Sequence, residues 1–191
     1  MVSVWEGKYM EAYDKVMLNS EIYTSVRDFH VNTLKKCKIV LDSGCGTGNV
    51  ALELLKKGCM VYAVDKSKKA LSILKIKCAR YQDKLRIKKD DAESLTFDNN
   101  KFDGINSMFV IHFVDDVEKY LTESYRVLKK NGIIVITGRI SMKKRSLLVK
   151  SYENSLKRKG LIPKFRREMN IVRDGIMNDV KKAAKMSLQP K

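Results

Sequence analysis

The 191-residue sequence predicts an α/β domain built on a mostly parallel sheet. Three observations carry that expectation. Short apolar runs recur along the chain, segments of helical spacing separate them, and a glycine-rich turn, SGCGTGN, joins the first apolar run to the helical pattern after it. The runs are continuous rather than alternating, which is the pattern of strands buried on both faces, so helices should cover both sides of the sheet.

The elements follow in chain order. Residues before Cys37 read as helical, with clear helical spacing over 20–36. KIVLD at 38–42 is the first strand, and NVALELLKKG is a helix that Gly58 should stop, because glycine takes the left-handed backbone of a helix end without strain. MVYAVD at 60–65 is the second strand. Ser67 is then well placed to cap a helix that carries Leu71, Leu74 and Cys78 on one face. KLRIKK at 84–89 is a third, weaker strand, and FDGINSMFVI at 102–111 a fourth. DVEKYLTESYRVLKKNG reads as a helix stopped by Gly132, IIVITG at 133–138 as the fifth strand, and residues 141–191 as helical throughout. There are no internal repeats, and with only two prolines, Pro163 and Pro190, no hinge divides the chain. The expected organisation is one domain: a helical cover over 1–37, an α/β core over 38–138 and a basic helical segment over 139–191.

The formal charge is +17, and it is unevenly placed: residues 141–191 hold 15 lysines and arginines against 4 acidic residues. Such a segment could meet nucleic acid or an anionic surface. Lysine outnumbers arginine 29 to 10, however, and arginine is the better residue for forked phosphate contacts, so a lysine-rich composition is favoured over a nucleic-acid patch. No apolar run approaches the roughly 18 residues of a membrane span, and no cleavable leader is visible. Cys37, Cys45, Cys59 and Cys78 lack CxxC spacing and have only His30 and His112 for company, which argues against a metal site and for reduced thiols in a cytoplasmic protein.

An open sheet of this kind binds ligands where its strands end, so chemistry should be sought in the loops after them. Glycines at 44, 46 and 48 let backbone pass close under a ligand and aim the next helix at it. A dinucleotide turn would require glycine at position 49, which is Asn49, and a P-loop would require a G-K-[ST] ending. Asp42, two residues before the first glycine, suits an ammonium or sulfonium better than a pyrophosphate. Asp65 ends the second strand, where a carboxylate can accept from both hydroxyls of a ribose or simply cap the next helix. Asp90, Asp91 and Glu93 follow the third strand, where a carboxylate could accept from an adenine amino group.

Taken together, VLDSGCGTG, VYAVDKS, DDAESLTF, FDGINSMFVIHFVDD and YRVLKKNGIIVITG resemble the class I S-adenosylmethionine-dependent methyltransferases over about residues 38–138. The resemblance implies a Rossmann-like doubly wound sheet and S-adenosyl-L-methionine as cofactor. It implies that Gly44, Cys45, Gly46 and Gly48 lie along the methionine and ribose, with Asp42 near the amino group. It further implies that Asp65 holds the ribose hydroxyls, that Lys66 flanks the adenine, and that Asp91 and Ala92 meet its amino edge. Ser107 and Met108 would close the pocket, and Tyr13, in AYDKV, would belong to the family's N-terminal cover as a cofactor contact or a plain core residue.

A sulfonium methyl is already electrophilic, so transfer needs chiefly alignment, which can supply about 7–11 kcal/mol of the barrier. A base is needed only for a weakly acidic acceptor. His112, just after the fourth strand, is the candidate, with a packing role as the alternative; Cys45 reads as small apolar lining. The N-P-P-Y-like turn of nucleic-acid base methyltransferases is absent at Asn106–Phe109, and the style of RVLKKNG and VIHFV resembles the branch acting on small molecules. Three readings stay open: a small-molecule methyltransferase, an RNA-modifying enzyme using the basic segment, and a protein that holds the cofactor without turnover. The family's C-terminal strand hairpin has no counterpart in 141–191. The apolar fifth strand would then be a sheet edge, and self-association through it or through the helices of 141–185 is expected.

Overall fold

Apolar runs that can pair only in parallel need long crossovers, and the chain supplies them. The computed structural model describes residues 8–138, 153–161, 167, 168 and 170. Five strands, β1 Ile39–Ser43, β2 Met60–Asp65, β3 Leu85–Lys89, β4 Phe102–Met108 and β5 Leu128–Thr137, form one sheet in the order β3-β2-β1-β4-β5, and every pairing is parallel. Helix α3, Asn49–Lys56, links β1 to β2, α4, Lys68–Lys77, leads toward β3, and α5, Val117–Val127, leads into β5. A loop over 90–101 joins β3 to β4. The strand order reverses at β1, so the crevice between the ends of β1 and β4 is where such a sheet takes ligands.

Side-chain alternation along each strand divides the core in two. On one face Val40, Val61 and Ala63 pack with Leu34 of α2, Glu21–Leu34, with Ala51 and Leu54 of α3, and with Leu74 of α4, all fully buried. On the other face Leu41, Val64 and Ile105 pack with Leu95 from the 90–101 loop and Val127 of α5. Ser67 caps α4, accepting from the Ala70 N–H at 3.1 Å, and Leu71, Leu74 and Cys78 point inward as their spacing predicted.

The largest departures from the sequence reading are at the junction of α5 with β5, which begins at Leu128 rather than 133, and at the end of β4. The helix expected to run to Gly132 stops at Val127, because the carbonyls of Arg126 and Val127 accept from the N–H groups of Asn100 and Lys101 at 2.9 and 2.8 Å. Leu128 then pairs with Phe102, residues 129–132 bulge out, and pairing resumes at Ile133 with Gly104. The fourth strand ends at Met108 rather than 111, since Phe109 turns the chain with a φ of 63°. Among the described residues nothing pairs with the outer side of β5, where Ile133 and Ile134 are exposed. Most of the segment expected to be helical over 141–191, including Lys143, Lys144, Lys181 and Lys182, lies outside the described residues.

Contacts divide the chain into two units, 25–139 and a second formed by 1–24 with 140–191. The first holds the sheet. In the second, the described residues comprise α1, Lys8–Met17, the start of α2 with Ser20 as its cap, and a helical stretch over 153–158. Leu156 is fully buried there, Arg158 pairs with Glu21, and Lys15 meets Glu168 at 3.1 Å.

In the sheet unit the 90–101 loop is held to α5 by a single guanidinium. Arg126 forks onto both Glu123 carboxylate oxygens at 2.8 Å, and it also donates to the Leu95 and Phe97 carbonyls at 2.7 Å and to the Asn99 side chain at 2.8 Å. Glu123 in turn accepts from the Leu95 N–H. Arg126→Ala takes the donor from those carbonyls and leaves the carboxylate with the Leu95 N–H but without its cation, and urea unfolding should show a loss of about 2 kcal/mol. Arg126→Lys, which keeps the charge but not the fork, should recover only part of it.

Candidate functional site

The residues singled out by sequence, Tyr13 excepted, lie at or just after the carboxyl ends of β1, β2, β3 and β4. The turn after β1 is held by the end of β2. The Cys45 N–H donates to the Val64 carbonyl at 2.9 Å, and the Gly46 N–H to Asp65 Oδ2 at 2.8 Å. A Cβ on Gly44 would lie 2.4 Å from a Val110 methyl, and one on Gly48 would lie 2.6 Å from Leu74 Cγ, so both positions require glycine for close approach. Gly46 differs. A Cβ built there meets nothing within 4 Å, so this part of the turn fronts open space and offers bare backbone to a ligand.

Asp65 is half-buried at the end of β2, and its other oxygen accepts from the Ser67 N–H at 2.8 Å. Sequence suggested either a ribose ligand or a helix cap, and the carboxylate in fact ties the glycine turn to the start of α4. Lys66 reaches across to Asp91 at 3.0 Å and to Glu93 at 3.6 Å. Burial would raise the Asp91 carboxyl, but the Glu93 N–H and the Lys66 ammonium outweigh it and hold the group below its ordinary value. Glu93 is buried because its carboxylate accepts from the Asp115 and Asp116 N–H groups, at 3.2 and 2.6 Å, where the chain enters α5. Ala92 between them is half-buried.

Ser107 and Met108 end β4, as expected, but they face opposite ways. Met108 is packed on the α2 side, whereas the Ser107 hydroxyl is fully buried toward α5 near the Tyr120 hydroxyl. The Ser43, Ser107 and Tyr120 hydroxyls all lack a hydrogen bond of good geometry. Phe109 follows with left-handed backbone, an unusual state for an aromatic residue and one that marks the strand end as strained. His112 is exposed in the turn over 111–113, with Nε2 beside Gly138. Its exposure argues against the packing alternative. Tyr13, between the rings of Tyr9 and Tyr23 at 5.9 and 6.2 Å, belongs to the other unit.

Asp42 is 1% exposed, on the face covered by α2 and α3 beneath the turn. Its Oδ1 accepts from Asn106 Nδ2 at 2.5 Å, and its Oδ2 has no partner. Burial pushes the carboxyl up to about 7, against the Asn106 amide and the Ala51 N–H, which favour the charged form, while the charge of Asp65 adds to the rise. The Cys45 thiol alongside is held well above its ordinary value by burial and by both carboxylates, so it is inert lining. Sequence reasoning did not find Asn106 or its further partner, His30 on α2. Both are polar residues inside buried elements, and that mismatch is the signal that could have exposed them. All four cysteines are free, and no cluster among the described residues could hold a metal ion.

Residues 41–136 match the family model described as a methyltransferase domain. The chain is 34% identical over 115 residues to a ubiquinone biosynthesis O-methyltransferase of Pelagibacter ubique, covering 58% of this chain and 47% of that protein. It is 36% identical over 99 residues to the ubiquinone/menaquinone biosynthesis C-methyltransferase UbiE of Zymomonas mobilis, covering 51% and 41%. The chain thus spans about half the length of the curated relatives it matches. A crystal structure of a candidate S-adenosylmethionine-dependent methyltransferase from Methanococcus maripaludis shares the fold, with a TM-score of 0.61 at 22% identity over 97% of this chain and 88% of that one.

The buried carboxyl gives stability a pH dependence of known sign. A group raised from 3.8 to about 7 keeps, in the folded state, a proton that the unfolded chain has already released. Its contribution is therefore fully present below about pH 4, falls as pH rises toward 7, and is level above that. The whole span is of the order of 4 kcal/mol. Asp42→Asn should lose this slope, so that its stability relative to the parent improves between pH 5 and pH 8. Urea unfolding of the two proteins side by side isolates the effect from Asp103 and Glu123, whose lowered carboxyls act in the opposite sense.

Proposed function

This chain belongs to the S-adenosylmethionine-dependent methyltransferase family, and from that membership we propose that it transfers the cofactor's methyl group to a small-molecule acceptor of the quinone-precursor kind that its relatives' names describe. The observation that carries this reading is the glycine turn at the end of β1, with Asp65 fastening the Gly46 N–H and open space in front of Gly46. Bare backbone, a helix start and carboxylates on neighbouring strand ends suit a ligand that is cationic at one end and carries a ribose and an adenine at the other.

Each residue takes a role consistent with its position. The turn from Gly44 to Gly48, with Cys45 as lining, would run under the methionine and ribose. Asp65, at the end of β2 with its carboxylate already set by the Gly46 and Ser67 N–H groups, would accept the ribose hydroxyls. Lys66, Asp91 and Ala92 would border the adenine, with Asp91 accepting from its amino group. Ser107 would act through its backbone, since its hydroxyl is buried toward α5, and Met108 would close the wall.

Bound there, the cofactor supplies a methyl group on a sulfonium, which is electrophilic without further activation. The protein's task is then to hold the acceptor atom in line, exclude water and, for an oxygen that must lose its proton, provide a base. His112 would be that base, a contribution of about a hundred- to ten-thousandfold. We place the protein in the cytoplasm; among the described residues no helix is long and apolar enough to cross a membrane.

Calorimetry with S-adenosylmethionine and S-adenosylhomocysteine tests the pocket. Asp65→Ala should weaken both by about ten- to a hundredfold, since hydrogen bonds to a charged group contribute about 1.5–3 kcal/mol. A folded Asp65→Ala protein of unchanged affinity removes the ribose role. For the acceptor, labelled methyl should pass to hydroxylated or demethylated quinone precursors, with His112→Ala lowering turnover about a hundredfold and leaving cofactor affinity alone. Label entering RNA instead would assign the acceptor to the nucleic-acid class.

A further inference from the structure

Beneath the glycine turn, one line of side chains runs across the sheet from Asp42 to Thr137. Asp42 Oδ1 accepts from Asn106 Nδ2 at 2.5 Å, His30 Nδ1 meets Asn106 Oδ1 at 2.6 Å, and His30 Nε2 meets Thr137 Oγ1 at 3.1 Å. The members come from four elements: β1, β4, α2 and the end of β5. His30 is fully buried, and Asn106 is 1% exposed. The two bonds of Asn106 are buried, whereas the bond from His30 to Thr137 is part-buried, so the polarity at the Asp42 end is set within the line.

That polarity is determined atom by atom. When Asp42 is ionised it can only accept, so in that state the amide turns its NH2 toward Asp42 and its carbonyl toward His30. A carbonyl accepts as well, so Nδ1 of His30 must carry the ring proton. Burial lowers the imidazole's affinity for a second proton, which leaves Nε2 free to accept from the Thr137 hydroxyl. Each bond thus fixes the next, and the line ends on Asp42, whose second oxygen has no partner and which lies two residues before Gly44.

We infer that His30 is a positioning residue: through its bond to Asn106 it locks the amide with its donor toward Asp42, and so keeps that carboxylate charged beneath the turn that takes the cationic end of the cofactor. Without His30 the amide is free to turn over and present its carbonyl, which favours a protonated Asp42. The other ionisable groups around Asp42 are Asp65 on β2, the Cys45 thiol in the turn and the Cys78 thiol at the end of α4, with Lys56 and Lys77 beyond Cys78. Besides Asn106 and Thr137, His30 meets the edge of the Phe29 ring at 6.0 Å. Among these groups only the amide reverses its effect on Asp42 by turning over.

The inference rests on the proposed cofactor site, and two measurements separate the two ideas. In the first, S-adenosylhomocysteine binding is followed by calorimetry from pH 5.5 to 9. The parent's affinity should rise through a midpoint near 7 as Asp42 ionises. His30→Phe should move that midpoint up by about one unit, with about tenfold weaker binding at pH 7 that recovers toward pH 9. His30→Gln, whose side-chain amide can still donate to Asn106 Oδ1, should restore the parent's profile. Thr137→Val, a milder change should His30→Phe not fold, should shift the midpoint the same way by less. In the second, urea unfolding without ligand reads the same midpoint from the pH dependence of stability. A His30→Phe or Thr137→Val protein whose midpoint stays at the parent's value in both measurements overturns the inference. A shift in the ligand-free measurement alone, with no S-adenosylhomocysteine bound by any of the proteins, upholds the line of bonds and overturns the cofactor site.

Discussion

Asp42 stands where the strand order reverses, 1% exposed, between the carboxyl ends of β1 and β4. A carboxylate at such a place is tolerated only if donors are fixed in advance, because an unpaired buried charge costs several kcal/mol. The parallel pairing of β1 with β4 sets Asp42 directly beside Asn106, and the shared face puts both under α2, where His30 completes the amide's bonding. The register of two strands, the placement of one helix and the state of one carboxyl group are thus mutually dependent. A slip of one residue in β4 would turn Asn106 to the α5 face and leave Asp42 with no side-chain donor.

The turn above inherits its shape from that arrangement. Gly44 sits against Val110 and Gly48 against Leu74, so the backbone is pressed onto the loop after β4 and onto α4, while Gly46 alone faces outward. Asp65 fastens the turn to the next crossover. A rigid backbone surface held by packing is what a reaction limited by alignment requires. The left-handed Phe109 beside Val110 shows strain concentrated at the same rim.

The opposite face solves a different problem. The connection from β3 to β4 carries no helix, yet its backbone must be satisfied next to a buried apolar layer of Leu95, Phe102 and Ile105. Three charged groups do this. Arg126 and Glu123 bind the loop's carbonyls and one N–H, and Glu93 binds the two N–H groups that open the path into α5. The Lys66–Asp91 pair joins this loop to the end of β2 at the rim of the proposed adenine site.

The sequence by itself determined the parallel α/β core and most of its elements, since continuous apolar runs and helical spacing are properties of neighbouring residues: MVYAVD became β2 without a change of bounds. It likewise determined the glycine turn and the acidic strand ends, because those depend on local backbone needs and on topology. It did not yield the end of α5. The pattern RVLKKNG is helical, and only the N–H groups of Asn100 and Lys101, about 26 residues upstream, take the carbonyls that would have continued the helix. Nor did it yield His30 and Asn106, which lie 76 residues apart and read separately as ordinary polar residues. Only the tertiary structure decided that they meet, because a hydrogen bond between elements depends on strand register and helix placement, which no local window of sequence contains.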